Sequence, residues 1–389
     1  MPDQSTIPRR GALGATALAG ALLASGWAGA AEVRPGGALG IEVSGEIKWI
    51  ATRGDLDEAL LDDEVSTGLD FFSDAEVLIE AKGVHDASGF EYGAVIEFQG
   101  STAETENTGE TWLYLRGGWG QVRLGDDDGV SAFSAGIVAG DGCAALSAAD
   151  VAAGTGGLDA EVVEDLFGAP TYEPLGTEEV TKISYVTPKF GGLNVGVSYT
   201  PNLAELGDGA GKGDTLALKG VAAGDVVEGI AHYEGEVAGL AVRASLSGLY
   251  GEVEDEELAG GDDYWAAQAG AVVEVLGIDV GGSYLTERVG ALEVDAVTLG
   301  VGAGFGGDDE GVGGFDVSLN YGQIIRSRNL VVEDAELEEP YVLVLSADYG
   351  LVPGLVLQGD VARFDNDYED GGPGDGEGWV GVAGLVLEF

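Results

Sequence analysis

The feature that most constrains this chain is a strict two-residue alternation of apolar and polar side chains, recurring in short segments almost to its end. In the first segment Leu39, Ile41, Val43, Ile47 and Trp49 lie on one face, and Glu42, Ser44, Glu46 and Lys48 on the other. In the last segment Trp379, Ala383, Leu385, Leu387 and Phe389 share a face. A period of two is the period of a β-strand. Segments of about ten residues with one wholly apolar face and one polar face are the pattern of a transmembrane barrel, apolar towards lipid and polar towards a lumen.

Sixteen such segments can be drawn, at 39–53, 68–84, 89–101, 110–117, 119–126, 180–189, 191–201, 225–236, 239–252, 263–276, 277–289, 293–305, 313–326, 338–350, 353–365 and 377–389. The connections between them alternate in length. Gly117-Gly118-Trp119-Gly120, Phe190-Gly191-Gly192, Glu236-Val237-Ala238-Gly239, Leu276-Gly277 and Val352-Pro353-Gly354 are tight; Gly54–Thr67, Glu254–Asp263 and Asp365–Glu377 are long and acidic. Short turns on one side and long loops on the other, with an even strand count, place both ends of such a barrel in the periplasm. Two stretches fit less well: the Gly306–Gly314 connection belongs to the short side yet is long, and 212–224 has room for another strand, which would make eighteen.

Residues 1–30 read differently. Arg9 and Arg10 precede an apolar stretch from Gly11 to Ala24 and then Ala28-Gly29-Ala30, the order of a cleavable signal peptide. The apolar run of 14 residues is short of the ~20 that a spanning helix needs. The expected mature barrel is 31–389. The whole chain carries a net charge of −52; with Asp3, Arg9 and Arg10 (+1) removed, −53 remains. Apolar residues still make up 45%, so the acidity is not that of a disordered tail. Its depletion in lysine equally fits adaptation to high salt. The acidic balance excludes a nucleic-acid surface, which needs basic patches. One cysteine, Cys143, rules out an intramolecular disulfide.

Three stretches resemble the porins of α-proteobacteria, the group typified by the Rhodobacter porins. One is Glu110-Thr111-Trp112-Leu113-Tyr114-Leu115 with Gly117-Gly118-Trp119-Gly120-Gln121-Val122-Arg123-Leu124-Gly125. Another is Lys182-Ile183-Ser184-Tyr185-Val186-Thr187-Pro188 with Phe190-Gly191-Gly192-Leu193, running on to Ser198-Tyr199-Thr200-Pro201. The third is the closing Leu387-Glu388-Phe389. The resemblance implies a 16-stranded antiparallel β-barrel in the outer membrane, a homotrimer, a third loop folded inward as a constriction, and Phe389 as an assembly signal. The chain departs from that group in its unusually acidic loops.

The third loop, Asp126 to Glu179, is the one large excursion, and loops of that length are usually functional. Ala145–Ala153 and Ala160–Phe167 within it have helical composition. Its acids, Asp126, Asp127, Asp128, Asp141, Asp150, Asp159, Glu161, Glu164 and Asp165, form one side of an expected pore constriction. Strand parity turns Lys48, Lys82, Arg116, Arg123 and Lys182 into the lumen as the opposing basic side. A basic wall facing an acidic loop sets up a transverse field that orders water and disfavours apolar solutes. Aromatic girdles are expected from Trp119, Tyr199, Tyr264, Trp265, Tyr284, Tyr321, Tyr341, Tyr349, Trp379 and Phe389.

No cofactor is called for. Asp126-Asp127-Asp128 and Asp262-Asp263 offer the hard oxygen ligands that Ca²⁺ takes, without EF-hand order or spacing. Catalysis has no carrier: His85 and His232 lack a serine or cysteine motif nearby, and Gly302, Gly304 and Gly307 have no helix after them to make a dinucleotide loop. The expected function is passive diffusion of small hydrophilic solutes and ions, with cations preferred. The alternatives are a channel selective for a sugar or amino acid, and a barrel that stiffens the membrane without conducting.

Overall fold

The computed structural model describes residues 39–56, 69–85, 88–100, 108–131, 177, 180–202, 223–253, 263–290, 292–308, 311–328, 331–332, 335–336, 341–366 and 376–389. The leader at 1–30, the helical segments expected at 145–153 and 160–167, and Cys143 lie outside them.

Sixteen antiparallel strands form one closed sheet. In chain order they are β1 (Leu39–Leu56), β2 (Asp70–Val84), β3 (Glu91–Gln99), β4 (Thr111–Gly117), β5 (Gly120–Asp127), β6 (Val180–Val186), β7 (Leu193–Asn202), β8 (Ala223–Val237), β9 (Leu240–Val253), β10 (Asp263–Val275), β11 (Ile278–Val289), β12 (Leu292–Gly306), β13 (Gly314–Arg328), β14 (Tyr341–Val352), β15 (Leu355–Asn366) and β16 (Gly376–Glu388). Each pairs with its sequence neighbours, and β1 closes on β16 from Glu46↔Glu388 to Leu56↔Gly378. Gly45 and Phe389 extend that seam by exchanging backbone hydrogen bonds at 3.0 Å in both directions. Closure pairs every strand edge, which an unpaired backbone in hydrocarbon could not survive. A two-residue ribbon, Val331–Val332 against Ala335–Glu336, decorates the β13–β14 connection.

The outer surface carries the apolar parity. Ile47, Trp49, Phe71, Ile79, Leu113, Leu115, Leu124, Ile183, Val195, Val197, Leu299 and Leu345 are all exposed, an arrangement that only lipid makes favourable. No helix among the described residues is long and apolar enough to cross a membrane. Trp119, Tyr199, Trp265, Tyr284, Tyr349 and Trp379 face outward. Tyr264 does not: it is 0% exposed and points inward, because it neighbours Trp265 and consecutive strand residues take opposite faces.

Two of the tight turns show why they are tight. Ala238-Gly239 and Leu276-Gly277 place both central residues at positive φ, 55° and 84° in the first and 57° and 81° in the second. That is the two-residue turn whose twist matches a β-hairpin. The Gly306–Gly314 connection is a longer turn on the same side, closed by Asp308 Oδ1 accepting from the Val312 amide at 2.9 Å. Of the stretch 212–224, residues 212–222 lie outside the described residues.

Candidate functional site in the barrel lumen

Alternation fixes which side chains line the interior. The five basic residues expected there are Lys48 on β1, Lys82 on β2, Arg116 on β4, Arg123 on β5 and Lys182 on β6. All five sit opposite in parity to the exposed apolar belt; Lys48, Arg123 and Lys182 are buried and the other two half-buried. They are not a bare positive wall. Lys48 pairs with Glu46 at 2.7 Å. Lys82 pairs with Glu42 and, at 3.0 Å, with Glu80. Arg116 pairs with Glu91, its register partner across β3 and β4. Arg123 pairs with Asp127 four residues on, at 3.0 Å, and lies over the Trp112 ring at 4.4 Å. Lys182 donates to the carbonyl oxygens of Asp127 and, at 2.7 Å, of Thr177.

The acid side begins on the wall itself. Asp126 and Asp127 are the last residues of β5. Asp127 shares the inward face of Arg123, whereas Asp126, opposite the exposed Thr111 and Thr181, shares the outward face of Leu124. Asp126 therefore does not join the expected constriction, because consecutive strand residues take opposite faces. Asp128 follows, its amide donating to Glu110 Oε1 at 3.3 Å. Asp141, Asp150, Asp159, Glu161, Glu164 and Asp165 lie outside the described residues, as does the Asp262 half of the other acidic pair. Among the described residues no group of three or more His, Cys, Asp or Glu is placed to hold a metal ion.

The alternation pattern alone does not single out Glu228. It is 1% exposed on the inner face of β8, opposite Ser198 on β7. Its Oε1 accepts from the Ser131 amide at 2.5 Å; its Oε2 accepts from the Thr177 amide at 3.2 Å, the Thr177 hydroxyl at 3.0 Å and the Ser198 hydroxyl at 3.3 Å. Ser131 and Thr177 stand at the outgoing and returning ends of the third loop, and Gly129 N–H donates to Thr177 O at 2.7 Å to tie those ends together. Val130 packs beside Val186 and Ile230, inward-facing residues of β6 and β8. The root of the loop therefore crosses the interior from β5 over β6 and β7 to β8. The sequence signal for Glu228 is an acid set between Val226 and Ile230 on the same strand face, where its charge needs several donors to be stable.

Glu110, just before β4, accepts from Trp112 Nε1 at 3.1 Å. Burial, and then the charges of Asp128, Asp127 and Glu97, hold its carboxyl well above the ordinary carboxylate range.

A family model described as Gram-negative porin matches residues 14–369. The anion-selective porin from Comamonas acidovorans superposes with a TM-score of 0.60 at 18% identity, covering 90% of this chain and 100% of that one. OmpF of Salmonella typhi, in complex with daunomycin, gives 0.60 at 14% identity over 92% and 100%. A mutant of the Rh. blastica porin gives 0.53 at 15% over 90% and 100%. At these identities the likeness is one of fold. No curated protein sequence matches the chain.

Proposed function

Because the chain belongs to the Gram-negative porin family, a family of non-enzymatic channel-forming barrels of the bacterial outer membrane, we propose that it passes small hydrophilic solutes and ions by passive diffusion, with cations preferred, through a lumen that its third loop narrows. The observation that carries this reading is the root of that loop. Both of its ends are held on the inner wall by Glu228, and a loop anchored there is directed into the lumen.

The cation preference is supported by the pairing on the wall. Four of the five lumenal basic residues have a carboxylate against them and the fifth is satisfied by carbonyl oxygens, so the remaining acids set the sign of the field. Asp128, Asp141, Asp150, Asp159, Glu161, Glu164 and Asp165 form the acidic side of the constriction in this reading, with Asp127 committed to Arg123. The Comamonas porin shares the fold at 18% identity, which carries nothing about the sign of selectivity here. The same reading includes assembly as a homotrimer, removal of 1–30 on export, and Phe389 as the assembly signal at the β1–β16 seam.

Excising part of 132–176 and recording single channels tests the inward loop. The reading requires a higher conductance and a larger solute cutoff in the shortened protein. Equal conductance and an unchanged cutoff mean that the loop lies outside the ion path.

A further inference from the structure

The polar groups on the inner face of β13–β15 are nearly all oxygen. Register places them in two rows. Ser318, Ser346 and Asp360 face one another across three strands, and the next row holds Asp316, Asp348 and Gln358. Asn320 stands one step along β13 on the same face. None of the described side chains sharing this inward face on β13–β15 is a lysine or arginine.

Three of these oxygens have no hydrogen-bond partner. They are Ser346 Oγ, Asn320 Oδ1 and Gln358 Oε1, on residues that are 0%, 2% and 3% exposed. Asn320 uses its amide nitrogen on Ser318 Oγ at 3.1 Å. Buried polar oxygens without donors are costly. Two carboxylates, Asp348 and Asp360, sit among them. Ser346, Asp348, Gln358 and Asp360 form a two-by-two block on β14 and β15, and a positive ion over it would use all four residues at once.

We propose that this patch is a lumenal site for a hard divalent cation of the size of Ca²⁺, held by the carboxylates of Asp348 and Asp360 with neutral oxygens from Ser346 and Gln358. Ca²⁺ takes six to eight oxygen ligands in a flexible geometry, whereas Mg²⁺ demands a small octahedron and keeps its water. Oxygens from two neighbouring strands about 4.8 Å apart, drawn from two successive rows, suit the larger ion. With two carboxylates in place of the three or more of a tight site, the affinity falls in the range of about 10⁻⁴ to 10⁻³ M that weak oxygen sites show. The site lies on a different arc of the wall from the basic residues and the loop root, and it stands whether or not the constriction is cation-preferring.

Equilibrium dialysis of the purified full-length barrel with radioactive Ca²⁺ tests it. In 1 M KCl the Debye length is about 3 Å, so the diffuse attraction of acidic loops is suppressed. The site predicts that the double variant Asp348→Asn and Asp360→Asn binds one Ca²⁺ fewer per chain, while Asp262→Asn with Asp263→Asn loses nothing in that range. Mg²⁺ should compete at least tenfold less well than Ca²⁺. Ser346→Val, which removes one ligand and leaves both charges, should weaken binding several-fold and keeps the test open if the double variant does not assemble. Unchanged binding in Asp348→Asn/Asp360→Asn, or in Ser346→Val, would overturn the site and leave water as its only occupant. Binding is read without current, so neither result decides the cation preference.

Discussion

Glu228 and Ser131, 97 positions apart in the chain, meet inside the barrel, where the Ser131 amide donates to Glu228 Oε1 at 2.5 Å. That contact and the Thr177 contacts on the other oxygen make one buried carboxylate the fastening point for both ends of the third loop. Removing it leaves four donors without their acceptor. Hydrogen bonds to a charged group are worth roughly 1.5–3 kcal/mol each and are not additive. Glu228→Ala should therefore loosen the loop root, seen as noisier single channels of altered conductance, while Glu228→Gln retains part of the wild-type behaviour. A Glu228→Ala channel with wild-type conductance and noise would contradict the fastening role.

Arg123 and Asp127 form a pair with both side chains almost wholly buried. Removing one member of such a pair leaves an uncompensated charge and typically costs about 3–5 kcal/mol, whereas replacing both by apolar residues of similar size costs far less. Arg123→Leu alone should lower the unfolding midpoint strongly, and Arg123→Leu with Asp127→Leu should recover most of the loss. The check is urea unfolding in detergent micelles. A double variant no more stable than the single one would mean that the pair is not a unit.

Glu110 gives a pH dependence with a definite sign. Its folded carboxyl titrates above its ordinary value of 4.5 because burial and neighbouring acids disfavour the charge. The stability it contributes is complete below 4.5 and is lost as pH rises through the higher folded value. Glu110→Gln keeps one acceptor oxygen of the two that serve Trp112 Nε1 and the Asp128 amide, as the protonated carboxyl does. It should raise the heat-unfolding temperature relative to wild type at pH 8 and leave it unchanged at pH 4. A gain at pH 4, or a loss at pH 8, goes against this.

Leu276 sits at φ 57° and is 99% exposed at the tip of the β10–β11 turn. A left-handed conformation costs a residue with a Cβ about 1–2 kcal/mol, and Asn tolerates it best after Gly. Leu276→Asn should stabilise the barrel by about 0.5–1 kcal/mol by easing that turn, measurable as a shift in the urea midpoint. A destabilised Leu276→Asn would show that the leucine makes a contact worth more than the strain.

Most of the barrel was legible because one physical rule, lipid on one side and polar lumen on the other, is written into every strand. The first strand expected at 39–53 is observed at 39–56, and the last, expected at 377–389, at 376–388. Parity also placed Lys48, Lys82, Arg116, Arg123 and Lys182 inside. It was overlooked at Tyr264, which cannot share a face with Trp265. Register was not legible. The irregularity between Asp295 and Ala296 that shifts β12 against β13 has no local signature, and the Arg116–Glu91 pair exists only because those residues fall opposite each other. Glu228 escaped for the same reason, since its partners come from positions 131, 177 and 198. At the end of β5 the sequence shows only a run of acids; strand parity turns Asp126 away from Asp127, and the ion pair commits Asp127 to Arg123.

The central claim is that acidic groups set the sign of an ion path narrowed by the third loop. The zero-current potential of the reconstituted channel under a KCl gradient measures that sign directly, taken at low and at high ionic strength. The Debye length falls from about 10 Å at 0.1 M to about 3 Å at 1 M, so the account predicts a modest cation preference that shrinks as salt rises. Replacing Asp128 with Asn should move the potential towards zero. An anion-selective potential, or a cation preference that does not fall with salt, would contradict the account.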